Sequence, residues 1–436
     1  MLTSKGLPID LPATPTEPLT PEPRDRRAVW ALAVAQLVSW GTVYYSFSLL
    51  VGPLEQAMHW SRTSMNGALS FGLLISGLAA YPIGHWIDAG HGRRVMVAGS
   101  ALSGSMLLLW AHAQWLPLVF VVWFGLGLSM SATLYDPVFA VVTHRYPLTY
   151  RAKVTLITLV AGFASTIFIP LTGYLVTTVG WRTTLLVLAV MNLAICLPIH
   201  AMFLPSSRRA NAGKVDRREL KRTNAVSTAR ALRSPVFWAL GVCFTAYYAV
   251  FAGMTFHLVP LMTERGVPSA VLLAVMAVVG PAQVVARVAW YAFGRTLPIH
   301  VVGTVVVLLL PLAILVLMVA GTSTLGLMAF ALLYGAANGM MTIVRGVAIQ
   351  ELLWTQGYGA LSGMLSLPSN IAKGLAPIAV AGAWGLTMAY GPVEQGFLFV
   401  ALVAAVAYVM AGRYSGRRVQ TPDSGCVMHE GSTTTD

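Results

Sequence analysis

The stretch SSRRANAGKVDRRELKRTNAVSTARALRS, from Ser206 to Ser234, is the longest polar segment of this chain. It contains nine Lys and Arg residues and only two acids, and long apolar stretches lie on both sides of it. The 436 residues as a whole are 57% hydrophobic and 10% charged, with a mean hydropathy of +0.72. A water-soluble surface needs many more charges than this. The composition therefore predicts a protein that crosses a membrane several times.

Twelve apolar stretches are long enough to span a bilayer, which takes about 20 residues. Six precede the polar segment and six follow it, so we predict an all-α membrane protein with twelve transmembrane helices in two six-helix bundles. Gly127 and Gly335, and Pro170 and Pro377, recur at an offset of about 208 residues, which suggests that the bundles are pseudo-symmetric repeats. The predicted spans are residues 28–52, 64–87, 94–113, 116–142, 153–175, 183–204, 235–260, 270–293, 300–320, 324–348, 359–383 and 394–412.

The same pattern divides the chain into five regions. We expect a cytoplasmic N-tail over 1–27, an N-terminal bundle over 28–204, a basic linker over 205–234, a C-terminal bundle over 235–412 and a C-tail over 413–436. The N-tail is rich in proline and lacks an apolar core, so we expect a disordered tail rather than a signal peptide. The linker has the composition of a segment that lies along the anionic inner leaflet.

The position of the basic residues explains the net charge of +13. If the N-terminus is cytoplasmic, 22 of the 28 Lys and Arg residues lie on the cytoplasmic side, as is typical of membrane proteins. We therefore predict a multi-pass protein of a bacterial inner (plasma) membrane with both termini in the cytoplasm. The charge does not indicate a nucleic-acid partner.

Motifs for catalysis or metal binding are not found in the sequence. Cys196, Cys243 and Cys426 lack the spacing of a metal site. There is no nucleophile elbow, phosphate-binding loop or dinucleotide fingerprint. We expect no enzymatic activity, no cofactor and no metal site.

Three cations, Arg287, Arg345 and Lys373, lie inside predicted spans, and Asp136 is the one acid at comparable depth. A cation at the centre of a bilayer costs about 2.5–3.5 kcal/mol even on lenient scales, so it persists only beside water, a bundle interior or a partner. Because one acid cannot pair with three cations, an anionic substrate is a candidate partner.

The loop after the second span reads Gly84-His-Trp-Ile-Asp88-Ala-Gly90-His-Gly92-Arg93-Arg94. A glycine, an acid four residues later and a glycine followed by basic residues resemble the signature of the major facilitator superfamily. The chain departs from it by one extra residue before Gly92 and by Ala89 at a usually basic position. The resemblance implies a transporter that binds its substrate between two six-helix bundles.

Charged residues near the cytoplasmic side are candidates for gating and coupling. Asp88 at a helix end, with Arg93 and Arg94 beside it, can lock neighbouring helix termini in one conformation. In this superfamily an acid such as Asp136 often pairs with one of those arginines; the alternative is a role in proton coupling. Arg345 lies near the end of the tenth span, and we expect a gate or snorkelling residue there rather than a substrate ligand.

Shorter motifs resemble the branch of monocarboxylate porters and oxalate:formate antiporters. They are residues 40–54, which read WGTVYYSFSLLVGPL, then GPAQVVAR over 280–287 and NIAKG over 370–374. In these families an Arg of the eighth helix and, in oxalate antiporters, a Lys of the eleventh bind the substrate carboxylate. The resemblance implies these roles for Arg287 and Lys373; the alternatives are a structural ion pair for Arg287 and a neutral helix contact for Lys373.

Further polar residues are candidate ligands of the same substrate. Gln283 lies one helical turn from Arg287. Tyr44, Tyr45 and Tyr248 fall in the first and seventh spans, which line the cavity in this superfamily, and Asn338 lies in the tenth; ordinary helix packing is the alternative for each. His257 is a candidate for proton coupling, although a helical histidine is more often only hydrogen-bonded.

Together these features predict a secondary active transporter of a small organic anion, a mono- or dicarboxylate. We expect alternating access in a monomer, coupled to a proton or to a counter-anion, with exchange favoured because titratable acids are few. The alternative is an efflux pump for a drug-like or toxic compound. That alternative predicts an apolar cavity and tolerance of Arg287→Ala.

Overall fold

The computed structural model describes residues 23–204, 217–293 and 297–419, and every regular element in these ranges is helical. A helix suits a bilayer because it satisfies its own backbone hydrogen bonds. Most of the predicted N-tail, the linker residues 205–216, Arg295 and the C-tail from residue 420 lie outside the described residues.

The N half, residues 23–204, contains nine α-helices. Three π-helical turns, Trp40–Tyr45, Ile87–His91 and Asn192–Cys196, join consecutive helices. The α-helices are α1 Pro23–Ser39, α2 Phe47–Met58, α3 Arg62–Trp86, α4 Gly92–Ala111, α5 Leu116–Thr133, α6 Tyr135–Arg145, α7 Tyr150–Ala161, α8 Ala164–Met191 and α9 Leu197–Phe203.

The C half, residues 235–419, follows a linker helix, α10 Arg217–Leu232. Its helices are α11 Pro235–Glu264, α12 Ser269–Phe293, α13 Ile299–Ala320, α14 Thr324–Ala348, α15 Tyr358–Thr387 and α16 Tyr390–Val419. A π-helical turn, Ile349–Leu353, extends α14.

Nine helical segments among the described residues are long and apolar enough to cross a membrane. Two of them, Thr63–Ala111 and Tyr150–Phe203, each contain two predicted spans. Between the two spans of each segment the backbone turns, at Gly90 in the first and at Gly180 in the second. There φ is 84° and 78°, a conformation that favours glycine. The predicted eleventh span lies on α15, which is not one of the nine. Each of the twelve predicted spans thus falls on helical structure.

The fourth span is broken near its centre. Thr133 ends α5, Leu134 is extended with φ −80° and ψ −156°, and α6 begins at Tyr135. Pro137 has no N–H to donate to the carbonyl of Thr133, and the side-chain amide of Gln36 donates to that carbonyl instead. The break places Asp136 in the first turn of α6.

The two halves are packed together at the end that carries the linker, which we call the linker end. There α3 and α15 cross in backbone contact, and a Cβ on Gly84 would collide with the carbonyl of Gly359. A buried apolar cluster runs through the C half and continues into Ile87, Val138 and Phe139 of the N half. The structure is therefore closed at the linker end.

Candidate functional site

Two of the three intramembrane cations lie close to the ring of one tyrosine. The Lys373 Nζ lies 4.2 Å, and the Arg345 Cζ 5.6 Å, from the centroid of the Tyr248 ring. Cations are attracted to the negative face of an aromatic ring, and more strongly where water is excluded. Lys373 also donates to the Asn370 Oδ1 at 3.4 Å. Helices α11, α14 and α15 thus bring two positive charges to one place.

Arg345 pairs with Asp136 of the other half. Its Nη2 donates to both carboxylate oxygens of Asp136 at 3.1 Å and also to Ser366. The expected pairing of Asp136 with Arg93 or Arg94 is wrong, because the break at Leu134 directs α6 toward α14 and α15. Arg345 is also more enclosed than a snorkelling residue, since its side chain is only 11% exposed.

Arg287 is buried at the contact between the halves. Its Nε donates to the Gly339 carbonyl at 2.9 Å, and its Nη2 lies 3.5 Å from the Thr342 Oγ1. Nη1 is buried without a hydrogen-bond partner and lies against Gly162 of the N half. Its side chain therefore reaches the N half and keeps one charged donor unused.

An aromatic group of the N half lies close to these cations. Trp40 contacts Tyr44, Tyr45 and Tyr135, with ring centroids 5.3, 6.1 and 5.0 Å away. Tyr45 and Tyr135 lie within electrostatic range of Arg287, whereas Tyr44 packs against the apolar core of the N half. Tyr44 and Tyr45 are adjacent on the π-helical turn Trp40–Tyr45, and adjacent residues of a helix point in different directions.

The two amides predicted near Arg287 have different positions. The buried Asn338 accepts a hydrogen bond from the Tyr247 hydroxyl at 3.2 Å. The backbone of Gln283 packs against Gly339, where a Cβ would collide with it. The contacts of Asn338 and of the Gln283 backbone thus hold α11, α12 and α14 together beside Arg287.

Asp88 caps a helix of the other half. Its carboxylate accepts from the backbone N–H groups of Gly359 and Ala360, both at 2.9 Å, and from the His144 Nε2 at 2.6 Å. A carboxylate at a helix N-terminus is stabilised by the free N–H groups and by the helix dipole. Asp88 therefore fastens the start of α15 to the N half.

Arg93 and Arg94 do not take part in this lock. Neither forms an ion pair with a residue in the described part of the chain, and Arg94 is exposed. Glu351, the acid nearest to Arg345 in sequence, instead accepts from the Tyr150 hydroxyl at 3.2 Å and lies 3.7 Å from the Arg151 Nη1. The linker end is thus held by three carboxylates with separate partners.

Sequence reasoning missed several residues of the site. The Asp136 carboxylate accepts from the hydroxyls of Ser362 and Ser366, at 2.9 and 2.7 Å. These serines are four residues apart on α15, and that spacing on one face of a span was a usable signal. His144, Tyr150 and Arg151 had no comparable signal, because their partners are distant in sequence.

His257 lies toward the opposite end of the C half. Its Nδ1 is 2.9 Å from the Tyr390 hydroxyl and its Nε2 is 3.0 Å from the Pro377 carbonyl. It thus connects α11, α15 and α16, and its role in proton coupling stays a prediction. Among the described residues, no group of three His, Cys, Asp or Glu side chains could hold a metal ion.

A family model described as Major Facilitator Superfamily matches residues 32–377. The chain belongs to the major facilitator superfamily. It is therefore a multi-pass membrane transporter of a small molecule, and it works as a secondary transporter by alternating access. Members of this superfamily are generally not enzymes. Comparison of the sequence with curated proteins gives no match.

Solved structures of other transporters share the fold. The human organic anion transporter MFSD10 (TETRAN) is 16% identical, with a TM-score of 0.68 over 89% of this chain and 99% of its own. A variant of the E. coli fucose:proton symporter FucP is 14% identical, with a TM-score of 0.66 over 90% and 98% of the two chains. The structure of FucP in the outward conformation is 14% identical, with a TM-score of 0.64 over 90% of this chain and 99% of its own. At these identities the likeness shows the fold alone, and the monocarboxylate and oxalate branch stays a prediction.

Proposed function

We propose that this transporter carries a small organic anion with one or two carboxylates. The anion binds between the halves, among Arg287, Arg345 and Lys373. We further propose that the linker end is cytoplasmic, in keeping with its basic residues, and that the transporter works as a monomer in a bacterial inner membrane.

The imbalance of charge around Tyr248 and Arg287 carries this proposal. In the part of the chain that the structure describes, Asp136 pairs with Arg345 and interacts electrostatically with Lys373, whereas Arg287 forms no ion pair. Two guanidinium nitrogens, Nη1 of Arg287 and Nε of Arg345, are buried without an acceptor. An unsatisfied buried donor costs about 1–3 kcal/mol, and a charged one more. A substrate anion would remove this cost.

The types of side chain favour a carboxylate. An arginine fork matches the two oxygens of a carboxylate, whereas a lysine supplies a compact point charge. Tyr45 and Tyr248 offer hydroxyls that orient a small ligand and rings that enclose it. Tyr44, Gln283 and Asn338 act less directly in this proposal, by holding the helices that present these groups.

Transport by purified protein tests the proposal. In proteoliposomes, we expect counterflow of at least one of acetate, lactate, oxalate and succinate. Arg287→Ala and Lys373→Ala should each lower it about tenfold or more, the effect of losing ~1.4 kcal/mol of binding. Arg182→Ala is the matched control, because Arg182 lies over Trp181 at 4.2 Å, outside the site. Unchanged counterflow in both site variants would exclude the anion site.

The same vesicles separate the modes of coupling. Uptake driven by a pH gradient indicates proton symport, and uptake that requires an internal anion indicates exchange. Stabilisation by drug-like or toxic compounds, unaffected by Arg287→Ala, would instead support the efflux alternative. Light scattering of the solubilised protein measures its mass and so tests whether it is a monomer.

A further inference from the structure

Asp136 belongs to the N half, but its hydrogen bonds come from the C half. Arg345 donates from α14, and Ser362 and Ser366 donate from α15. An ionised carboxylate that accepts charge-assisted bonds across an interface holds the two sides together more strongly than neutral bonds do. Asp136 therefore fastens the halves at the linker end.

The bond between Asp136 and Arg345 leaves part of the guanidinium unused. Only Nη2 donates to the Asp136 carboxylate, and the buried Nε has no acceptor. A free carboxylate can instead bind Nε and Nη2 together, which makes two parallel charge-assisted bonds. A small anion can thus offer Arg345 a better geometry than Asp136 does.

The carboxylate side of the pair is partly open. The Asp136 side chain is 29% exposed, so it is not sealed in the core. Lys373 lies on the same Tyr248 ring as Arg345 and interacts with it electrostatically. An anion held by Lys373 would therefore lie beside Arg345 and compete with Asp136 for it.

We propose that Asp136 is a tethered carboxylate that occupies the anion position on Arg345 and keeps the linker end closed until a substrate carboxylate displaces it. This inference rests on the proposed anion site. After displacement, Asp136 keeps only the neutral hydroxyls of Ser362 and Ser366, which bind it more weakly. Anion binding thus loosens the halves at the linker end, and the empty transporter stays closed there.

The test compares Asp136→Asn with Glu351→Gln. The asparagine keeps the shape of the side chain but not its charge, so it competes poorly for Arg345. Glu351 also joins the halves, through Tyr150 and Arg151, but it is a carboxylate with other partners. Removing the charge of Glu351 loosens the linker end but leaves the Asp136 carboxylate on Arg345. Binding of acetate, lactate, oxalate and succinate is measured on wild type and both variants by calorimetry.

A distance measurement reports opening of the linker end. Spin labels go on Leu148→Cys and Thr355→Cys, two exposed positions on opposite halves, in a Cys426→Ser background. Cys196 and Cys243 are buried and stay unlabelled. We expect wild type to show a longer distance only with anion, and Asp136→Asn to show it without anion.

Asp136→Asn should bind the anion about tenfold more tightly, a coupling of ~1.4 kcal/mol, whereas Glu351→Gln should tighten binding much less, because it leaves Asp136 on Arg345. If wild type binds the anion and Asp136→Asn binds it no more tightly, the displacement of Asp136 by the anion is overturned. The proposed anion site then still stands. Equal tightening in both variants would also overturn it, because general loosening would then be the cause. If none of the three proteins binds acetate, lactate, oxalate or succinate, the proposed function fails, and this inference with it.

A second variant keeps the test decisive if Asp136→Asn does not fold. Arg345→Lys keeps a charge for Asp136 but has no paired Nε and Nη2 donors. It should stay closed at the linker end with and without oxalate, and bind oxalate more weakly than wild type. Opening by oxalate to the extent seen in wild type would contradict the proposal.

Discussion

Gly162 of the N half and Arg287 of the C half lie so close that a Cβ at position 162 would overlap the Nη1 of Arg287. Gly162 follows the last turn of α7, and Arg287 is 4% exposed. The guanidinium thus occupies the space that a side chain at position 162 would need. The N half thereby influences where the cation of the C half can lie.

Gly162→Ala should therefore displace Arg287 and weaken anion binding about tenfold, which corresponds to ~1.4 kcal/mol. Gly280→Ala is the control: it lies on α12 with Arg287, but a Cβ there meets nothing within 4 Å. Calorimetry with a carboxylate substrate compares the two variants with wild type. Equal affinities for all three proteins would show that Arg287 tolerates the methyl group.

The cap at the start of α15 should depend on Asp88 alone. Asp88→Ala removes a carboxylate that accepts two backbone N–H groups, and loss of a cap costs about 0.5–2 kcal/mol. We expect a lower thermal midpoint and an open population at the linker end. Arg93→Ala with Arg94→Ala should stay within about 0.5 kcal/mol of wild type. A larger loss in the double variant than in Asp88→Ala would restore the role that the sequence suggested for the arginines.

Tyr248 should act through its ring. Tyr248→Phe keeps the face that Lys373 and Arg345 approach, whereas Tyr248→Leu removes it and with it about 0.5–2 kcal/mol per cation contact. We expect anion affinity to fall several-fold more in the leucine variant than in the phenylalanine variant. Equal losses in the two variants would mean that the hydroxyl, not the ring, matters.

Gln36 should stabilise the break in the fourth span. Its side-chain amide donates a hydrogen bond to the Thr133 carbonyl, which Pro137 leaves free. Gln36→Leu therefore leaves a buried acceptor unpaired, at a cost of about 1–3 kcal/mol. The thermal midpoint should fall, whereas the exposed Gln56→Leu should leave it nearly unchanged. An unaltered midpoint for Gln36→Leu would indicate that the carbonyl finds another donor.

Several parts of the site could be predicted from depth along a span. A helix rises about 1.5 Å per residue, so counting places Arg287 and Lys373 well inside the membrane. Such counting gives neither the rotation of a helix nor its neighbour in the other half. For that reason counting places Arg345 only near the end of its span, whereas in the structure it lies close to the Tyr248 ring together with Lys373.

The class of this protein, its helical spans and the unusual number of cations within them follow from the amino-acid sequence alone, because lipid demands apolar helices and penalises charge. The partners of its charged residues depend on how the helices pack. Asp136 meets Arg345 across 209 residues of chain, and Asp88 meets Gly359 across 271. Those pairs depend on a proline break in one span and on glycines that let backbones touch. They also depend on the closure of two halves, which no local pattern in the sequence encodes.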